Sequence, residues 1–156
     1  MTAISNEVKW MGKNLSITPT ITAGAYTAGD VVGGKLSFPM RHEQNGGFIF
    51  RFVVVDDDNV GATLTAWFFQ NDPTTIADNA ALALSVADLA KSFYKTTIST
   101  YTTHNGNKIA WVDINPAQQF TLADGIDYVY VYLSNDNGTS YTSTSGLTLL
   151  LQGYSA

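Results

Sequence analysis

Several groups of residues have types and spacings that chemistry can use. The acidic run Asp56-Asp57-Asp58-Asn59 gathers oxygens at close spacing, which is what a hard cation such as calcium requires. Asp56, Asp58 and Gly61 fall in step with a calcium loop. The pattern then fails, because Val60 stands where an oxygen ligand is needed and Trp67 where the closing glutamate belongs. This excludes an EF-hand. A solvated hairpin tip is the better reading, ahead of a looser metal site.

The only histidines are His42 and His104, both in Gly/Asn-rich stretches that read as surface loops. A hydrolytic triad or a metal centre needs an imidazole beside an activated partner, and no serine sits in a Gly-x-Ser-x-Gly setting. Asp113, Asp124 and Asp127 offer carboxylates for a glycosidase pair. Glutamate is nearly absent (Glu7 and Glu43), and the lone Asp113 ends a strand. Asp30-Val31-Val32-Gly33-Gly34 lacks the Gly-x-x-x-x-Gly-Lys spacing of a phosphate loop. Its glycines are read as a bend or a close approach. No set of titratable groups converges, so no catalytic, cofactor or metal residue is assigned and the chain is read as a non-enzyme.

Tyr128, Tyr130 and Tyr132 alternate with Val129, Val131 and Leu133. The aliphatic residues supply a buried face, and the tyrosines line the other side of one strand. Three readings stay open: tyrosines covered by loops of the same subunit, a protein–protein contact, or a platform for sugar stacking. With Trp10 and Met11 they are the candidate interface residues.

These side chains must be positioned by strands. Signals run over Leu15–Ile21, Asp30–Phe38, Phe48–Val55, Thr63–Phe69, Tyr94–Tyr101, Lys108–Ile114, Asp127–Ser134 and Leu147–Gln152. In the third, Phe48, Phe50, Phe52 and Val54 fall on one side, and Ile49, Val53 and Val55 on the other, with Arg51 the only charge. It pairs as a hairpin with Thr63–Phe69 across the acidic turn. Ser85-Val86-Ala87-Asp88 has capping-box spacing and predicts one short helix, Val86–Phe93. With no βαβ rhythm, the pattern predicts a single all-β domain over residues 14–156, an antiparallel sandwich of jelly-roll type. Residues 1–13 read as an N-terminal arm that orders on contact.

Composition narrows the partners. Charged residues are only 13% of the 156, about half the usual share, so the surface is kept soluble by neutral polar groups that are cheaper to desolvate. The net charge is −5, and eight scattered Lys and Arg residues do not replace phosphate counterions, which argues against nucleic acid. Five of those cations precede Phe52, while ten of the thirteen acids follow Arg51, a modest asymmetry read as a solvated surface. Cysteine is absent, which removes disulfides and thiolate chemistry. No apolar run approaches the ~20 residues of a membrane span, and no secretory signal opens the chain. The expectation is a soluble protein without membrane contact. Two long segments, Asn14–Gly29 and Asn137–Ala156, carry no charged side chain at all.

Three blocks carry a family resemblance: PTITAGAYTAGDVVGGKL (Pro19–Leu36), FFQNDPTTIADNAALALSVADLAKSF (Phe68–Phe93) and GIDYVYVYLSNDNGTSYTSTSGLTLLL near the end. Together with the apolar strands before them they resemble small virion structural proteins of tailed bacteriophages, over about two thirds of the chain. The resemblance implies a cement or decoration protein on the capsid surface, with the major capsid protein and its own copies (a dimer or trimer) as partners and no cofactor. It transfers no functional residue. The alternative from another class is a carbohydrate-binding sandwich, on a phage tail or appended to an enzyme.

Overall fold

The computed structural model describes residues 9–156. Eleven strands and one helix follow in order: β1 (Met11–Ile17), β2 (Gly24–Ala25), β3 (Asp30–Pro39), β4 (Gly46–Asp56), β5 (Leu64–Phe69), α1 (Val86–Leu89), β6 (Ser92–Ile98), β7 (Thr102–His104), β8 (Asn107–Thr121), β9 (Tyr128–Asn135), β10 (Ser140–Tyr141) and β11 (Leu147–Ser155). They form two main sheets, β1-β11-β4-β8-β7 and β3-β9-β5-β6, and a small ribbon of β10 with β2. Setting aside the short β2, β7 and β10, the first sheet holds the first, eighth, third and sixth strands in that order. The second sheet holds the second, seventh, fourth and fifth. That is the double Greek-key winding of a jelly roll. The expected fold is the observed one.

The core lies between the sheets and is aromatic at its centre. Phe52 of the first sheet meets Phe38 and Phe68 of the second edge to face, with centroids 6.4 and 5.4 Å away, the arrangement that ring quadrupoles prefer. Ile49, Val54, Leu149 and Leu151 face them from the first sheet, and Leu64, Val129, Val131 and Leu133 from the second.

Three expectations need correction. β4 and β5 do not form a hairpin: β4 lies between β11 and β8, and β5 between β9 and β6. Both strands are central, so each has two apolar neighbours and the acidic turn crosses from one sheet to the other. The helix ends at Leu89 because Ser92 already pairs in β6. The strict alternation in β4 is also broken. The register shift at Gln152/Gly153 makes Phe50 an extra, bulged residue against β11, while at Ile49/Arg51 the surplus lies on β8, whose residues 114–117 stand opposite Phe50 alone. Bulges re-aim side chains. Phe52 and Val54 therefore share the buried side with Ile49, while Phe48, Phe50 and Arg51 face outward. Gly153 makes the bulge possible, since a Cβ there would lie 2.3 Å from the Phe48 carbonyl oxygen.

Of the proposed arm, residues 1–8 lie outside the described residues. Met11, Gly12 and Lys13 belong to β1, in register with Ser155, Tyr154 and Gly153 of β11. Those three residues therefore belong to the first sheet and not to an arm.

Candidate functional site

The tyrosine row does not form an open platform. Tyr132 is fully buried and Tyr130 nearly so, and only Tyr128 remains exposed. The chain between β5 and α1 folds as a strap across the outside of the second sheet, where Ile76, Leu82 and Leu84 pack on Val31, Phe69, Tyr130 and Tyr132. The Tyr132 hydroxyl donates to the Thr74 carbonyl at 2.7 Å and accepts the Ile76 amide at 3.0 Å. Burial pushes its pKa up. Lys35 stands over the Tyr130 ring at 5.4 Å. Tyr130 and Tyr132 are thus corrected from interface to internal anchors, because the strap supplies the apolar cover that an exposed ladder would seek from a partner.

Asp78, which no motif singled out, fixes the middle of the strap. Its carboxylate accepts from Thr22 Oγ1 at 2.6 Å, the Tyr26 hydroxyl at 2.8 Å and the Gly33 amide at 2.6 Å. Gly33 has φ +79 and sits where a Cβ would strike Pro19 at 2.7 Å. The glycines there serve a bend and a close approach. At the strap's end Ser85 Oγ accepts the Asp88 amide at 3.1 Å, closing the expected cap.

The acidic turn is less solvated than expected. Asp56 is 1% exposed and accepts the Gly61 amide at 2.6 Å, while its Oδ1 has no partner among the described residues. Burial raises its pKa. Asp58 accepts the amides of Thr142 and Ser143 at 2.8 and 2.9 Å. Partial burial opposes those bonds, yet they hold its carboxyl below the usual range. The turn is a clasp between β4 and the segment before β11. Among the described residues no three His, Cys, Asp or Glu side chains come together.

With the second sheet covered, the outer face of the first sheet is open. Residues paired across neighbouring strands share a face, so the registers lay out its side chains in rows. One row starts at Ser16 on β1 and continues as apolar Leu150, Val53 and Trp111. The next is polar: Asn14, Gln152, Arg51 and Asp113. The third holds Tyr154 and Phe48, with Phe50 added by the bulge. Trp10 stacks on Phe48 at 5.5 Å, and Phe50 on Tyr154 at 5.5 Å. Trp10, Trp111 and Tyr154 are 53%, 55% and 48% exposed. Sequence reasoning placed Trp10 and Met11 at a surface but missed Trp111 and Tyr154, which single strands do not mark as neighbours.

The two charge-free segments also meet. β1 pairs with β11, the Ile21 amide donates to the Thr144 carbonyl at 3.0 Å, and β2 pairs with β10. One flank of the sandwich is therefore lined by two chain segments without charge, with β1 as its sheet edge. Comparison with models of known protein families, and with curated proteins, gives no match to this chain.

Proposed function

We propose that this protein is a structural component of a tailed-bacteriophage virion, a cement or decoration protein that docks on the major capsid protein and on its own copies. The observation that supports this reading is the flank formed by the two charge-free segments, where the neighbouring Asp58 and Asp78 carboxylates are tied down by donors of those segments. Asn14–Gly29 and Asn137–Ala156 lie far apart in sequence, yet they run side by side from β1 to the β2–β10 ribbon. Neutral Ser, Thr and Asn surfaces lose little hydration on contact, and free surfaces usually mix charges for solubility. The edge strand adds to this. From Asn14 to Ile17 β1 lacks the charges and prolines that usually guard a sheet edge, so its outer backbone is open to a strand from a partner. Trp10 and Met11 stand at the head of that edge.

Co-sedimentation of the purified chain with empty shells of the phage that encodes it tests the reading. Saturable attachment, and its loss on introducing Ala25→Lys with Ser140→Lys, is the expected result. Both residues are exposed and face each other across the ribbon. A monomeric chain that never sediments with shells would remove the proposal.

A further inference from the structure

The outer face of the first sheet has a chemistry different from that flank. Its polar row crosses four strands between aromatic groups, and the side chains in it are arranged in two pairs. Gln152 Nε2 donates to Asn14 Oδ1 at 3.3 Å, and Arg51 Nε binds Asp113 Oδ1 at 2.6 Å. Each pair is incomplete. An amide carries two donors and two acceptor lone pairs, and a guanidinium carries five donors, so both pairs keep hydrogen-bonding capacity that faces solvent. Asp113 Oδ2 and the terminal nitrogens of Arg51 have no partner among the described residues.

A shallow cleft of about 300 Å³ opens at the amide end, lined by Gly12, Lys13, Asn14, Phe50, Gln152 and Tyr154. That volume is at the lower limit for small-molecule sites. Gly12 leaves the wall low, since only the Tyr154 ring lies near its missing side chain. The Phe50 and Tyr154 rings, inclined at 35°, stand on one side of the polar row and Trp111 on the other.

We propose that this strip binds a carbohydrate, a linear chain of β-linked pyranose units lying across β1, β11, β4 and β8. A pyranose offers one face of C–H groups and a rim of hydroxyls that both donate and accept. Flat aromatic rings cover the first, and neutral amides or a planar ion pair reach neighbouring hydroxyls two at a time. The strip supplies both, a polar row with aromatic rings along its two sides. Neighbouring strands lie about 4.8 Å apart, comparable with the advance of one unit along a β-1,4 chain, so successive units meet successive polar side chains. A protein partner fits less well. Protein interfaces keep an apolar centre and send polar groups to the rim, whereas here the polar row runs through the middle.

The test is a calorimetric titration of the full chain with linear β-1,4 hexasaccharides of glucose, N-acetylglucosamine and mannose, with shell co-sedimentation as a parallel readout. At least one sugar binds saturably, and Tyr154→Ala and Gln152→Ala each weaken it by about tenfold or more with the melting transition unchanged. Absence of binding by all three up to about 10 mM overturns the proposal, as does binding that both substitutions leave intact. Variants that lose shell attachment while no sugar binds the parent assign the face to protein contact instead. The shell-docking proposal stands or falls separately, through the flank substitutions.

Discussion

Asp88 shows how much one short side chain does here. Its buried carboxylate accepts the Thr74 amide at 2.9 Å and the Ser85 hydroxyl at 2.8 Å, with Thr74 Oγ1 and Lys91 Nζ beyond. The Thr74 amide is the main cause, with the Ser85 hydroxyl next, that holds its carboxyl far below the usual range. A depressed acid stabilises the fold above its unfolded pKa, near 4, and that contribution fades as pH falls through the folded value. Urea midpoints of the parent should therefore drop below about pH 4, and Asp88→Asn should lower stability at neutral pH and flatten this acid limb. Asp56 has the opposite sign. Burial raises its pKa, so the carboxylate weakens the fold as pH rises through that value. Asp56→Asn keeps an acceptor for the Gly61 amide and should be at least as stable at pH 7, with its advantage vanishing in acid. A clear loss of stability at pH 7 would contradict the raised pKa. Tyr132→Phe should cost about 1–3 kcal/mol, because it strips partners from the Thr74 carbonyl and the Ile76 amide. Tyr128→Phe, on an exposed ring, should stay within about 0.5 kcal/mol.

At the scale of elements, the bulge in β4 and the strap over the second sheet decide which surfaces remain open. Gly153→Ala would bring a Cβ to 2.3 Å from the Phe48 carbonyl oxygen, and backbone cannot give way as a flexible side chain can. Its expected cost is about 1–3 kcal/mol in urea denaturation. The cap at Ser85 and the apolar alternation in β9 were legible because each is a local pattern with a fixed period. The bulge was not, since Phe50 looks like any other member of an aromatic run until its neighbours in β8 and β11 are known. The strap was hidden for a related reason. Ile76, Leu82 and Leu84 have no period of their own, and only the fold shows that they cover Tyr130 and Tyr132. The β4–β5 connection misled because a turn with Asn and Gly suits a hairpin and a crossing between sheets equally well. The outer-face strip was illegible for the same reason. Asn14, Arg51, Asp113 and Gln152 are brought together by register alone.

For the molecule as a whole, the covering is one-sided: the second sheet is closed by its own strap, while the first presents an open face and a flank of charge-free segments. Trp10 lies where those two surfaces join, since it stacks on Phe48 of the face and precedes β1 of the flank. Docking on a shell would place Trp10 against a partner, where a rigid aromatic anchor contributes most when fully desolvated. In the free protein the ring is more than half exposed, so its removal forfeits little folding energy. Trp10→Ala should accordingly leave the urea midpoint within about 0.5 kcal/mol of the parent while weakening shell attachment by about tenfold or more. Deleting residues 1–10 should do the same, because β1 begins at Met11, whereas a cut through residue 13 removes three paired residues of β1 and confounds folding with docking. Attachment unchanged by both the substitution and the shorter deletion would take the N-terminal end out of the docking surface and leave the flank to act alone.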